Sequence, residues 1–228
     1  MDHRLELLRT ESLLDLSQTL AAPMLETFEY PWQALAAIQS FILQLGPELP
    51  ADEYEQAGDG IWIARSASVA PTASIHGPVI ICAEAEIRHC AFIRGSAIVG
   101  SNAVVGNSTE LKNVVLFNRV QVPHFNYVGD SILGFRSHLG AGAITSNVKS
   151  DRTLVRLNID GYRVDTGLKK FGAVLGDLVE VGCNSVLNPG TVIGRGTSVY
   201  PLSSVRGVIP ADCIVKSGHE IVVREARG

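Results

Sequence analysis

The sequence predicts a mainly β fold, a parallel β-helix in which short strands and tight turns stack into a solenoid, and three observations predict it. First, aliphatic residues recur at every sixth position, through Val69, Ile75, Ile81, Ile87, Ile93, Val99, Val105 and Leu111. The same count runs again through Leu175, Val181, Leu187, Ile193, Val199 and Val205. Second, glycine or another small or turn-forming residue follows many of them, as in IVGSNAVVG and VLGDLVEVG. Third, the period fits neither the 3.6 of a helix nor the 2 of an ordinary strand. It fits one short strand plus one turn per flat side, with three sides closing a coil and the aliphatic pointing inward. Each coil then buries its aliphatics only against its neighbours, so stacking supplies the core.

The elements before Val69 have a different texture. LELLRTESLLDLSQTLAA and PWQALAAIQSFILQLG place apolar residues at i, i+3 and i+4, with Pro31 to start a helix and Gly46 to end one. Two helices are expected, then a linker, PELPADEYEQAGDG, so that residues 1–58 form a helical arm or cap on the first coil and 59–228 the solenoid. Between 148 and 171 the count is interrupted. KSDRTLVRLNIDGYRVDTGLKK alternates Leu154, Arg156 and Asn158 before Asp160-Gly161 and Arg163, the pattern of a β-hairpin projecting from the coil. Lys149, Arg152, Arg156, Arg163, Lys169 and Lys170 make this the most cationic stretch, suited to an anion or simply to a solvated face.

Composition bounds the function classes. Of 228 residues 18% are charged, and the formal net charge is -4, so no surface for nucleic acid or for an anionic membrane is expected. Cys82, Cys90, Cys183 and Cys213 show no CxxC pair or zinc-finger spacing, which suits a reducing compartment. The N-terminus lacks the apolar core of a signal peptide, and no apolar run reaches the length of a membrane span. A soluble, cytoplasmic protein is expected.

Five stretches carry a family resemblance: FIRG at 92–95, ELKN at 110–113, PHFNYVGD at 123–130, GAGAITSN at 140–147 and YPWQALAAI at 30–38. With the six-residue repeat, they resemble the hexapeptide acyltransferase superfamily. More narrowly, the chain looks like the C-terminal acetyltransferase half of the bifunctional sugar-1-phosphate nucleotidylyltransferases, the N-acetylglucosamine-1-phosphate uridylyltransferase type included. The resemblance runs from about residue 28 onward, and YPWQALAAI is similar to the linker that joins the two halves in archaeal-type members. No stretch resembles the glycine-rich loop of the nucleotidylyltransferase half, so nucleotide-sugar synthesis is not expected.

The resemblance implies a left-handed coil, a homotrimer with sites between subunits, acetyl-CoA as acyl donor, an amino-sugar phosphate as acceptor and no metal. An ammonium cannot attack a thioester, so a base must hold the amine deprotonated, and the resemblance gives that role to His124. It places Arg94 and Lys112 on the sugar phosphate, where a guanidinium fork and a mobile ammonium both suit a dianion. Tyr127 and His138 fall at sugar contacts, and Ala141, Asn147, Cys183 and Lys216 at the cofactor. Backbone amides at Ala141 and Gly142 could stabilise an oxyanion, or serve only the turn every repeat needs. Glu110 could orient His124 or Lys112.

Three positions depart from the pattern. His138 stands where the family has an asparagine, Val148 where it has a tyrosine and Cys183 where it has a serine. Lys149, Arg152 and Arg156 all compete for a further basic position. A different acceptor or acyl group, or ligand binding without catalysis, therefore stays open, as does a scaffold for a separate nucleotidylyltransferase. A zinc lyase of the γ-carbonic-anhydrase kind would draw on His76, His89, His124 and His138, although the closely spaced histidine pair of that family is absent.

Overall fold

Side by side, short parallel strands build three flat sides in the computed structural model, which describes residues 3–159, 161–216 and 220–224. Side one carries Ile61–Ala64, Val79–Ile81, Ala97–Val99, Ala173–Leu175, Thr191–Ile193 and Val208–Ile209. Side two runs from Ser68–Val69 through Gln121–His124 and His138–Leu139 to Cys213–Val215. Side three includes Ser74–Ile75, Phe92–Ile93, Ile144–Thr145, Val186–Leu187 and Ser204–Val205. Two longer strands, Glu110–Leu116 and Tyr127–Leu133, turn the corner from side three onto side one. This is the left-handed parallel β-helix expected.

The six-residue residues fill its interior: from Ile81 to Leu111 and from Leu175 to Val205 each is at most 3% exposed. The count continues through PHFNYVGD, where Leu116, Val122, Val128, Leu133 and Leu139 keep the inward slots and are fully buried. It slips, however. Ala97 pairs with Val79 one 18-residue coil earlier, whereas Val114 follows Ala97, and Ser131 follows Val114, by 17. Both losses fall at the corner between sides three and one. There Gly95 and Ser96 take two left-handed residues (φ 96° and 51°), while Asn113 (φ 56°) and Asp130 (φ 47°) each make the turn alone.

The N-terminal segment departs from the two helices its spacing predicts. It breaks into His3–Glu6, Thr10–Leu13, the 3₁₀ turn Leu16–Gln18 and Ala22–Leu25, and then the 3₁₀ stretch Pro31–Ala36 leads into the helix Ile38–Leu45. The break has a physical cause: this chain lies along side one and exchanges backbone hydrogen bonds with it, as a continuous helix cannot. Asp177 N–H donates to Leu13 O, and Asn118 N–H to Gln18 O. Further along, Asn113 Nδ2 donates to Leu35 O, and Gly46 packs on the Trp62 ring. The segment is thus a strap running the length of side one, rather than a cap on the first coil. Beneath it lies a stripe of outward residues, Trp62, Ile80, Ile98, Val115, Ile132, Val174 and Val192, each no more than 7% exposed. Burying one aliphatic side chain is worth about 1.5–3 kcal/mol, so the stripe holds the strap by many small increments.

The excursion leaves between Thr145 and Ala173 and forms the expected hairpin, Arg156–Ile159 against Tyr162–Asp165, with Asn158 opposite Arg163. Asp160 of the expected turn lies outside the described residues, and Gly161 is left-handed (φ 78°). One side of the hairpin returns to the solenoid: Val155 and Leu157 are fully buried, close over Gly190. At its base Phe171 stacks on Trp32 of the strap at 5.9 Å. Among the described residues, no helix is long and apolar enough to cross a membrane.

Candidate functional site

The short corners bring side chains from successive coils into contact. Strand pairing sets Glu110 beside Tyr127 and Lys112 beside Gly129, and Tyr127 beside Ile144 of the next coil. From this stack a network converges on Asp130, which is 4% exposed. Lys112 Nζ lies 3.0 and 3.1 Å from its two carboxylate oxygens, and Asn113 Nδ2 donates to Oδ1 at 3.0 Å. Asn147 Nδ2 donates to Oδ2 and also to the Tyr127 hydroxyl at 3.2 Å. Burial first, then the Asp130 charge, pushes the Tyr127 phenol above its usual range, so it stays protonated as a donor. Beside the network, exposed Arg94 donates to Glu110 at 2.7 Å.

Glu110 therefore holds Arg94, and neither His124 nor Lys112 is its partner. Asn147, assigned by resemblance to the cofactor, sits in the same network as the substrate candidates. Lys149, of the three basic residues competing after it, is nearest in sequence and pairs with Asp151 and Thr153.

A second group lines the corner between sides two and three. His124 ends the strand Gln121–His124, exposed, and its imidazole makes no hydrogen bond among the described residues. One coil on, Gly142 N–H donates to His124 O at 3.0 Å, which removes that amide as a free oxyanion donor. Ala141 O accepts from Asn184 N, next to exposed Cys183, while the Ala141 N–H has no acceptor among the described residues. Lys216, farther along, pairs with Glu220 at 3.2 Å.

Sequence reasoning missed what fixes this corner. Asn126, 3% exposed, accepts from His124 N–H through Oδ1 at 3.1 Å and donates through Nδ2 to Gly140 O and Ala143 O at 2.9 and 3.0 Å. It ties His124 to the loop carrying Ala141. The signal was a polar residue between His124 and Tyr127 where the coil must turn. His138 is elsewhere, on side two, its Nδ1 2.8 Å from Glu180. Within the chain, His76, His89, His124 and His138 do not gather: among the described residues no three His, Cys, Asp or Glu are placed to hold a metal ion.

Stacked coils with one short flat side per six residues define a hexapeptide-repeat β-helix protein. More narrowly, the chain belongs to the family described as the GMPPB C-terminal domain, whose model matches residues 75–197. It is 33% identical over 135 residues to the bifunctional protein GlmU of Methanococcus vannielii, covering 59% of this chain and 32% of that one. It is 36% identical over 94 residues to the bifunctional sugar-1-phosphate nucleotidylyltransferase/acetyltransferase of Sulfurisphaera tokodaii, covering 41% and 23%. The match thus spans about a third or less of these relatives' length. Among solved structures, a mutant of AntD, an N-acyltransferase from Bacillus cereus in complex with dTDP and coenzyme A, aligns with 20% identity and a TM-score of 0.34, covering 72% of this chain and 82% of that one.

Proposed function

We propose that this protein is a coenzyme A-dependent N-acyltransferase that acts on the amine of an amino-sugar 1-phosphate such as glucosamine 1-phosphate. One observation carries the reading: Arg94, Lys112 and Tyr127 lie together on one flat side, and at the edge of that side stands the His124 imidazole, without a hydrogen-bond partner among the described residues. Relatives named as sugar-1-phosphate acetyltransferases support the same class.

The roles follow from the chemistry of each group. Arg94 and Lys112 bind the phosphate with the donors that Glu110 and Asp130 leave free, a guanidinium having five and an ammonium three. Tyr127 donates to the sugar. The amine attacks through its lone pair, and as the C–N bond forms and the C–S bond breaks His124 takes one proton from that nitrogen and hands it to the departing thiolate, leaving a neutral amide. Acyl-CoA supplies the thioester whose carbonyl carbon is attacked. The Ala141 N–H, which has no acceptor among the described residues and lies one coil on from His124, stabilises the oxyanion, and Asn147, Cys183 and Lys216 flank the donor.

The working unit is a homotrimer in the cytoplasm, its sites between neighbouring solenoids. The strap covers side one, whereas no element among the described residues covers sides two and three, which leaves two flat faces for neighbours. The test is thiol release from acetyl-CoA with a panel of amino-sugar 1-phosphates. Turnover that vanishes in His124→Ala supports the reading. Ligand binding with no turnover for any acceptor, or turnover indifferent to His124, overturns it.

A further inference from the structure

On the solenoid's far edge, away from the Asp130 network, a pocket of about 600 Å³ opens between Asn102, Arg119, Gln121, Arg136, His138, Leu178 and Glu180. We infer that this pocket binds an organic diphosphate, gripped by Arg119 and Arg136.

The two arginines are exceptional in this molecule. On the coils outside the 148–171 excursion, Arg65, Arg88, Arg94, Lys112, Arg195, Arg206, Lys216 and Arg224 each hold a carboxylate, an amide oxygen or a hydroxyl. Arg119 and Arg136 make no ion pair and no side-chain hydrogen bond with any described residue. Both are also held in the left-handed region, at φ 60° and 56°. The same left-handed corner is taken by Glu84 (φ 56°), Asn102 (φ 57°), Leu178 (φ 62°), Gly196 (φ 67°) and Asp212 (φ 52°) on other coils, so the turn belongs to the coil and not to the arginines. What sets Arg119 and Arg136 apart is that their guanidinium donors, unspent on any described residue, line one pocket, where an anion would take them.

The geometry sets the ligand class. Arg119 and Arg136 sit on successive coils, Arg136 N–H bonding Asn118 O beside Arg119, so their backbones stand one strand spacing apart, about 4.8 Å. Two guanidinium forks side by side, with the Gln121 and Asn102 amides in the same lining, offer enough donors for two linked phosphoryl groups. The pocket's carboxylate, Glu180, is occupied by His138 at 2.8 Å and so does not oppose the anion unpaired. A volume of about 600 Å³ leaves room for the organic part as well.

The probe is inorganic pyrophosphate, titrated calorimetrically into the full chain at low and at raised salt. Arg119→Asn and Arg136→Asn keep a residue suited to the corner, as Asn102 shows, so the fold is preserved. Each is expected to weaken binding about tenfold or more, the loss of one charge-assisted fork. Arg163→Asn, which removes the same charge from the hairpin, and Lys112→Met, which empties the other phosphate candidate, are expected to leave this binding in place. Competition then identifies the source: displacement by coenzyme A assigns the diphosphate of a coenzyme, and displacement by UDP that of a nucleotide. Absence of pyrophosphate binding, equal loss in Arg163→Asn, or displacement by neither compound overturns the inference.

Discussion

Asp130→Ala tests the network most directly. The substitution strands the Lys112 ammonium and the Asn113 and Asn147 amides, all of which now end on one carboxylate. Removing one partner of a fully buried pair costs about 3–5 kcal/mol. Lys112 keeps 27% of its side chain exposed, so water recovers part of its charge. The expected loss is about 2–3 kcal/mol, a shift of about 1 M in the urea midpoint at unchanged slope. A double-mutant cycle with Lys112→Met separates the pair from the amides. A coupling of about 1–2 kcal/mol is expected, because the two asparagines stay stranded in both backgrounds. On the proposed function, acyl transfer should also fall in Asp130→Ala with a rise in KM for the sugar phosphate, since Lys112 loses its anchor. A midpoint within about 0.3 M of wild type, or a cycle without coupling, refutes the reasoning.

Three further outcomes follow from the same geometry. At Gly106 a Cβ would lie 1.6 Å from Pro123 O, backbone that cannot yield, so Gly106→Ala is expected to cost at least about 3 kcal/mol by chemical denaturation. Trp32→Ala removes a buried ring stacked on Tyr30 and Phe171; it is expected to cost about 3–5 kcal/mol and to speed proteolysis within 148–171, while resistance equal to wild type would count against the strap holding that segment. Burial pushes the Asp177 carboxyl above its ordinary range against the opposing pull of Phe135 N–H, Arg195 and Asp15 N–H. The folded state therefore holds the extra proton, and this contribution is present at low pH and lost as pH rises through the folded value. The melting-temperature advantage of wild type over Asp177→Asn should shrink as pH rises above the ordinary carboxylate range, and an advantage that grows would reverse the assignment.

The solenoid was legible because its inward aliphatics obey a constraint of the backbone itself: each coil has three slots, and Ile81 or Leu187 must fill one whatever the site requires. The strap was not, although its complement lay in plain view. Ile80, Ile98, Val115, Ile132, Val174 and Val192 recur once per coil just before an inward residue, on a strand position that points outward. An apolar residue on the outer face of a coil calls for a cover, and residues 5–46 are the apolar chain available to provide it. Their i, i+3, i+4 spacing read as helix, but a flat sheet side with free backbone partners at Asn118 and Asp177 favours short turns that can bond to it.

The candidate site shows the converse case, in which residue identities were legible and their partners were not. His124, Lys112, Tyr127 and Asn147 stand in recognisable motifs, yet nothing in those motifs says that Asp130 joins Lys112 to Asn147, that Asn147 in turn reaches Tyr127, or that Asn126 sets His124. The information sat in the repeat's arithmetic. From Leu111 to Leu116, and again from Val128 to Leu133, the count runs five instead of six, each time at the corner between sides three and one. The six-residue corner at Gly95-Ser96 spends two left-handed residues; the short ones spend a single Asn113 or Asp130. With one residue fewer, Lys112, Asn113 and Asp130 fall into register across adjacent coils, close enough to bond at 3.0 Å. The fault in the repeat and the polar network are therefore one feature. Restoring the missing residue, by a glycine inserted after Asn113, should leave the interior packed while separating Lys112 from Asp130. A stable coil that no longer binds the sugar phosphate is the expected result, whereas one that still binds it would show that the register of this corner does not build the site.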